Sequence, residues 1–109
     1  MKIVRNRILP PRGFNAIMLF GIVFTREEKL SKRTLQHEAI HIRQMWEMLV
    51  IPFYLWYVLE WLIRLVQYRD RMQAYRNISF EREAFANDRN ENYLNERRFF
   101  SFLKYLRNG

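Results

Sequence analysis

Residues 35–44 read LQHEAIHIRQ and hold both histidines of the chain, His37 and His41, four positions apart. On an α-helix that interval turns the chain through about 400°, so the two imidazoles share one face with an offset of about 40°. Both rings can then reach a single ion at about 2.0–2.1 Å. Glu38 lies about 60° round from His41, off the ion but within reach of a water bound to it. This is the H-E-x-x-H arrangement, in which the glutamate is the general base for a metal-activated water. The ion implied is zinc. The rival reading is a helix with two hydrogen-bonded or solvated histidines.

Two histidines do not hold a catalytic zinc alone; a third protein ligand is required, with the fourth position left for water. The chain has no further histidine and no cysteine, so that ligand is expected to be Asp or Glu. The segment ISFEREAFAND, residues 78–88, offers Glu81, Glu83 and Asp88. Taken as a helix, it places Glu81 at about 300° on the wheel, among Phe80, Ala84 and Phe85, and Glu83 at about 140°, beside Ser79, Ala86 and Asn87. A carboxylate on a buried stripe is costly unless paired or metal-bound. Glu81 is therefore the expected third ligand and Glu83 the alternative; the rival for Glu81 is an ion pair with an arginine. Asp88 shares Glu81's face and is placed to orient a histidine, as metal-bound imidazoles usually require. Gln44, on the His37 face, is either a partner of the site or an exposed polar position.

HEAIH followed by FEREA resembles the gluzincins, zinc metallopeptidases with a glutamate third ligand, and in size their smallest members, the minigluzincins. The E-x-x-A pattern of their third-ligand helix matches Glu81 to Ala84, and Glu83 to Ala86 as well. The resemblance implies His37, His41 and Glu81 (or Glu83) as zinc ligands and Glu38 as catalytic base. It also implies an edge strand that pairs with extended substrate, for which the strand around Phe20–Thr25 is the candidate. The chain also resembles a small bacterial family carrying IPFYLWYVLEWL and AYRNISFEREA, for which no substrate is assigned. Such peptidases commonly add a Tyr, His or Arg that supports the tetrahedral intermediate; Tyr68, Tyr75 and Arg76 are the candidates by type and place.

The rest of the chain reads as one domain, residues 1–109. Hydrophobic residues make up 50% of it, enough to form a core. Residues 1–13 are basic and irregular, ending in Pro10, Pro11 and Gly13. Phe14–Thr25 is a bent strand or short hairpin with Gly21 as its weak point, bounded by Gly13 and by Arg26, Glu27 and Glu28. Ser31 caps a helix running to about Leu49, and Pro52 fits the first turn of a second helix, Phe53 to about Tyr68. Residues 67–77 are a polar connector or helix end. A third helix starts near a capping Ser79. In the tail, residues 97–108, the spacing of Phe99, Phe102, Leu103 and Leu106 predicts an amphipathic helix.

The longest uncharged run, Met48 to Leu59, has twelve residues. Spanning a bilayer takes about 17–25 apolar residues, so a buried core helix is expected, with membrane association through residues 48–66 as the alternative. Glu60 and Arg64, four apart beside Trp56, Tyr57 and Trp61, read as an ion pair at the edge of the core. The formal charge of +8 suits an anionic partner. No nucleic-acid motif is present, so none is expected to bind. No leader pattern is read at the N-terminus, and the expected location is cytoplasmic, with membrane association as the variant.

The expected fold is thus mostly α, in the α+β class, with three to four helices, a small strand or hairpin element and an active-site helix carrying the histidine motif. The expected function is zinc-dependent hydrolysis of peptide bonds in a peptide or protein substrate. Its alternatives are a catalytically inactive metal-binding interaction protein and a membrane-associated binding protein.

Overall fold

The computed structural model describes residues 2–8, 10, 13–27 and 29–106. Pro11 and Glu28, named above, and residues 107–108 of the expected tail helix lie outside them. Helix covers 57% of the described residues and a three-stranded sheet flanks it, so the fold is mostly α in the α+β class.

The apolar stretch before the motif is a hairpin. Strand β2, Ala16–Leu19, pairs antiparallel with β3, Ile22–Thr25, with Leu19 opposite Ile22. The two residues between them, Phe20 and Gly21, both have positive φ, 52° and 86°. This is the twist that a two-residue hairpin loop needs, and Gly21 adopts it without a Cβ penalty. The Tyr54 hydroxyl accepts the Phe20 amide at 2.6 Å and ties the turn to the helices.

Residues 1–13, expected to be irregular, contribute a strand. Lys2–Arg5 forms β1, parallel to β3, giving the sheet order β1-β3-β2. Four residues with two terminal cations carry little local strand signal; the pairing comes from β3, some twenty residues away.

Helix α1, Lys32–Glu47, starts where the sequence indicates, with the Ser31 side chain accepting from the Thr34 amide at 3.1 Å. It ends in a tight corner at Leu49 and Val50, both with positive φ. Helix α2, Ile51–Tyr68, then leaves with its axis turned by 114° and Pro52 in its first turn. The uncharged run Met48–Leu59 therefore straddles a corner. Among the described residues no single helix is long and apolar enough to cross a membrane.

The expected polar connector holds a short helix, α3, Arg71–Arg76. Asp70 caps it by accepting from the Met72 and Gln73 amides. Helix α4, Ser79–Asn87, follows, and α5, Tyr93–Glu96, is a single turn. The tail departs from the expected amphipathic helix: Ser101–Tyr105 is a 3-10 helix, Phe102 is buried, and Phe99 is 73% exposed. Phe99 precedes the 3-10 element, and Phe100 between Phe99 and Phe102 has a positive φ of 57°, so the two rings do not share a stripe. The core gathers Met18 and Val23 from the sheet, Met45 from α1, Phe53 from α2, Ile78 and Phe80 around the start of α4, and Phe102.

Candidate metal centre

Helix α1 buries His37, Glu38, His41 and Gln44. Opposite them α4 presents Glu81, which is 3% exposed. His37 Nε2 and His41 Nε2 both lie against one oxygen of that carboxylate, Oε1, at 3.0 and 2.9 Å. Donor atoms of the three residues lie within 4.8 Å of one another. The rival for Glu81, an arginine partner, is not what the structure shows. Its second oxygen accepts the Tyr57 hydroxyl of α2 at 2.6 Å.

The other nitrogens of the two rings fix which atoms face inward. Gln44 donates through Nε2 to the Phe80 carbonyl and to Glu83, both acceptors, so its Oε1 must be the atom at 2.8 Å from His41 Nδ1. His41 Nδ1 therefore carries the hydrogen. On His37, Nδ1 lies 3.0 Å from Asp88 Oδ2, while the guanidinium of Arg33 holds Asp88 Oδ1 at 2.9 Å. With both Nδ1 atoms as donors, the neutral rings turn two Nε2 lone pairs toward a carboxylate oxygen. Three electron-rich atoms then face one point, an arrangement that requires a cation between them. The donor set, two imidazoles and a carboxylate each held from behind, fits a metal ion.

Electrostatics carry the same sign. Burial alone would lower the His41 pKa, but the Glu81 carboxylate lifts it to about 9. Burial would raise Glu81, yet His41 and then His37 hold it well below the usual carboxylate range. Without a metal, a proton serves as the cation.

Glu38 is placed differently. It is 6% exposed, and burial pushes its carboxyl up to about 7, against the lowering by His41 and His37. A carboxylate poised near neutrality beside a donor set is what a general base needs. It stands where two cavities meet. One, of about 390 Å³, is polar at its far end, with Arg33, Arg76 and Asp88 in its wall beside His37. The other, of about 460 Å³, is apolar, with Ile17, Leu19, Phe53, Val58 and Trp61 around His41 and Glu81. Phe14, Ala16, Glu38 and Tyr75 line both, so the two form one cleft with Glu38 and Tyr75 at its waist. The expected edge strand around Phe20–Thr25 is instead the central strand β3, paired on both sides; β2 lines the apolar part, and its edge away from β3 pairs with no strand among the described residues.

Of the three residues expected to support an oxyanion, Tyr75 is the one at the waist. Its ring is clamped between Phe14 and Phe85, at centroid distances of 4.8 and 6.0 Å. Burial, then the Glu81 and Glu38 carboxylates, raise its hydroxyl pKa far above the usual range, so it stays a donor. Arg76 lies in the polar cavity with its guanidinium 4.5 Å above Phe85. Tyr68 lines neither cavity.

Glu83, the alternative ligand, faces away from the histidines. The wheel placed it on a polar side, but it is fully buried, as is Ser79. The chain after α4 folds back and covers that side. Arg97 binds Glu83 through Nε and Nη2 and Glu47 through Nη1 and Nη2, and Tyr93 donates to Glu83 at 2.6 Å. Arg97 and Tyr93 satisfy the charge that would otherwise make Glu83 available to a metal.

Sequence reasoning missed Arg33, which holds Asp88, and Tyr57, which it assigned to an aromatic face with Trp56 and Trp61. The i,i+4 spacing of Tyr57 from Phe53 and Trp61 is what a core stripe also shows, and nothing local marks its hydroxyl as a partner of Glu81.

No family model matches the chain, and neither a curated protein nor a solved structure matches it significantly.

Proposed function

We propose that this protein is a zinc-dependent metallopeptidase of the gluzincin type, with His37, His41 and Glu81 as ligands and Glu38 as general base. The observation that carries the reading is the convergence of two oriented imidazoles and one buried carboxylate at the waist of an open cleft, with a second carboxylate tuned to about 7 beside them. Two nitrogens and one oxygen favour zinc over magnesium or calcium, which take oxygen donors.

When bound, zinc supplies Lewis acidity and lowers the pKa of a coordinated water. The chain supplies the rest. Glu38 takes the proton of the attacking water and delivers it to the leaving amine nitrogen as the C–N bond breaks. Tyr75 offers its hydroxyl hydrogen to the carbonyl oxygen as that atom gains charge. Asp88 and Gln44 hold the two Nδ1 hydrogens, so that both Nε2 lone pairs keep facing the ion. The free edge of β2 receives the peptide as an added strand, which fixes the scissile bond across the waist. Apolar side chains on one side of that bond fit the cavity walled by Phe53 and Trp61.

The test is zinc content of the purified chain by elemental analysis together with turnover of a fluorogenic peptide library. One equivalent of zinc and hydrolysis abolished in Glu38→Gln are expected. Absence of zinc from a folded, reconstituted sample would sink the reading; zinc with no turnover would mark a metal-holding interaction protein instead.

A further inference from the structure

Helix α2 is polarised the wrong way round for a helix that faces water. Its two charged side chains, Glu60 and Arg64, are each only 6% exposed, while Ile51, Leu55, Leu59, Leu62, Ile63 and Val66 are 47–78% exposed. The inward charges are committed. Glu60 accepts the Ser79 hydroxyl at 2.6 Å and the Trp56 indole N–H at 3.1 Å. Arg64 donates to the Leu106 carbonyl at 2.6 Å and to Gln67 at 3.0 Å. Glu60 cannot turn outward without opening the contact between α2 and the start of α4, nor Arg64 without releasing the Leu106 carbonyl.

We infer that the outward face of α2 is a seat for an anionic lipid surface, in which the helix lies flat with the domain above it. Three observations choose this occupant. First, the apolar face runs from Val58 round to Ile63, an arc of about 140°, wider than the narrow seam by which two helices pair. Second, the charge is complementary to anionic lipid and repels a second copy. The chain carries +8, no exposed acidic side chain lies on α2, and two exposed arginines, Arg69 and Arg71, flank its C-terminal end around Asp70, whose carboxylate is engaged in capping α3. Third, the inward face, with Phe53, Glu60 and Arg64, is packed on the domain, so lipid cannot surround the helix and α2 lies in the interfacial plane. Trp46 and Leu49, at the corner before α2, are 63% and 78% exposed. Trp46 places there a side chain suited to the headgroup boundary.

The seat does not depend on the metal reading, but one consequence rests on it. Val58 lies both on the arc and in the wall of the apolar cavity. The cleft then opens beside the bilayer, and its substrates are peptide segments presented at a membrane surface.

The experiment is co-sedimentation of the full chain with vesicles of phosphatidylcholine alone or mixed with phosphatidylglycerol. The wild type is expected to pellet with the mixed vesicles and far less with the neutral ones. Leu59→Glu/Ile63→Glu should bind the mixed vesicles at least about tenfold more weakly with an unchanged melting temperature and unchanged zinc content. Should that variant fail to fold, Arg69→Gln/Arg71→Gln gives an independent readout: weaker binding to the mixed vesicles and none of the preference for them. A wild type that stays in solution with the mixed vesicles overturns the inference. So does a charge variant that keeps the full preference, or a dimer in light scattering that the double glutamate variant splits.

Discussion

Glu81 and Glu83 are two residues apart on one nine-residue helix, and both are buried. One faces two imidazoles whose outer nitrogens are already spoken for; the other faces Arg97 and Tyr93. Burial alone does not distinguish them, and burial taken alone would raise both pKa values, whereas both are lowered. What separates a structural carboxylate from a candidate ligand is whether the opposing charge is covalently part of the fold. Arg97 cannot leave Glu83. The proton that His41 holds opposite Glu81 can be exchanged for an ion.

The sharpest way to break this comparison is to remove each carboxylate in turn. Glu81→Ala should weaken zinc binding by more than about a hundredfold, beyond the range seen for partners of ligands. Glu83→Gln should retain zinc but lower stability by up to roughly 3–5 kcal/mol, the range typical of broken buried pairs. Isothermal titration and urea unfolding read the two effects; a Glu83→Gln chain that stays folded and loses zinc would reverse the assignment. Glu38→Gln should keep the metal and reduce turnover by about 10²–10⁴-fold, and full activity would remove Glu38 from the chemistry. Tyr75→Phe should lower kcat by about 10²-fold with KM nearly constant; a change in KM alone would make it a binding residue. The smallest effect is expected at the far side of the rings. Asp88→Asn and Gln44→Ala should each lower zinc affinity by about 10–100-fold without abolishing turnover at saturating zinc. Unaltered affinity in both would mean that ring orientation is set by packing instead, Phe85 against His37 being the available contact.

Much of the site was legible because helical spacing is local. The His37–His41 interval, the Ser31 cap and Pro52 each state their role within a few residues. Glu81 was chosen for being on an apolar stripe, and that reasoning held only in part. Nearly the whole circumference of α4 is buried, so the stripe was not what excluded Glu83. The exclusion came from Arg97, fourteen residues further on, and no wheel drawn on α4 could contain it. Strand β1 and the Tyr57 contact share this character, each depending on a partner about twenty residues distant. The 3-10 tail shows the converse. Its apolar spacing fitted a regular α-helix, but Phe100 turns the backbone at positive φ, leaving Phe99 exposed while Phe102 packs against Trp56 and Phe80.

Helix α4 has no side-chain cap of its own; Ile78 occupies that position, and Glu60 of α2 reaches across to the Ser79 amide and hydroxyl instead. Three residues earlier on α2, Tyr57 holds Glu81. Two fixed points on a short rod leave it no freedom to roll about its own axis. The direction in which the candidate third ligand looks is therefore written into the neighbouring helix, and α2 works as the jig against which the metal centre is set.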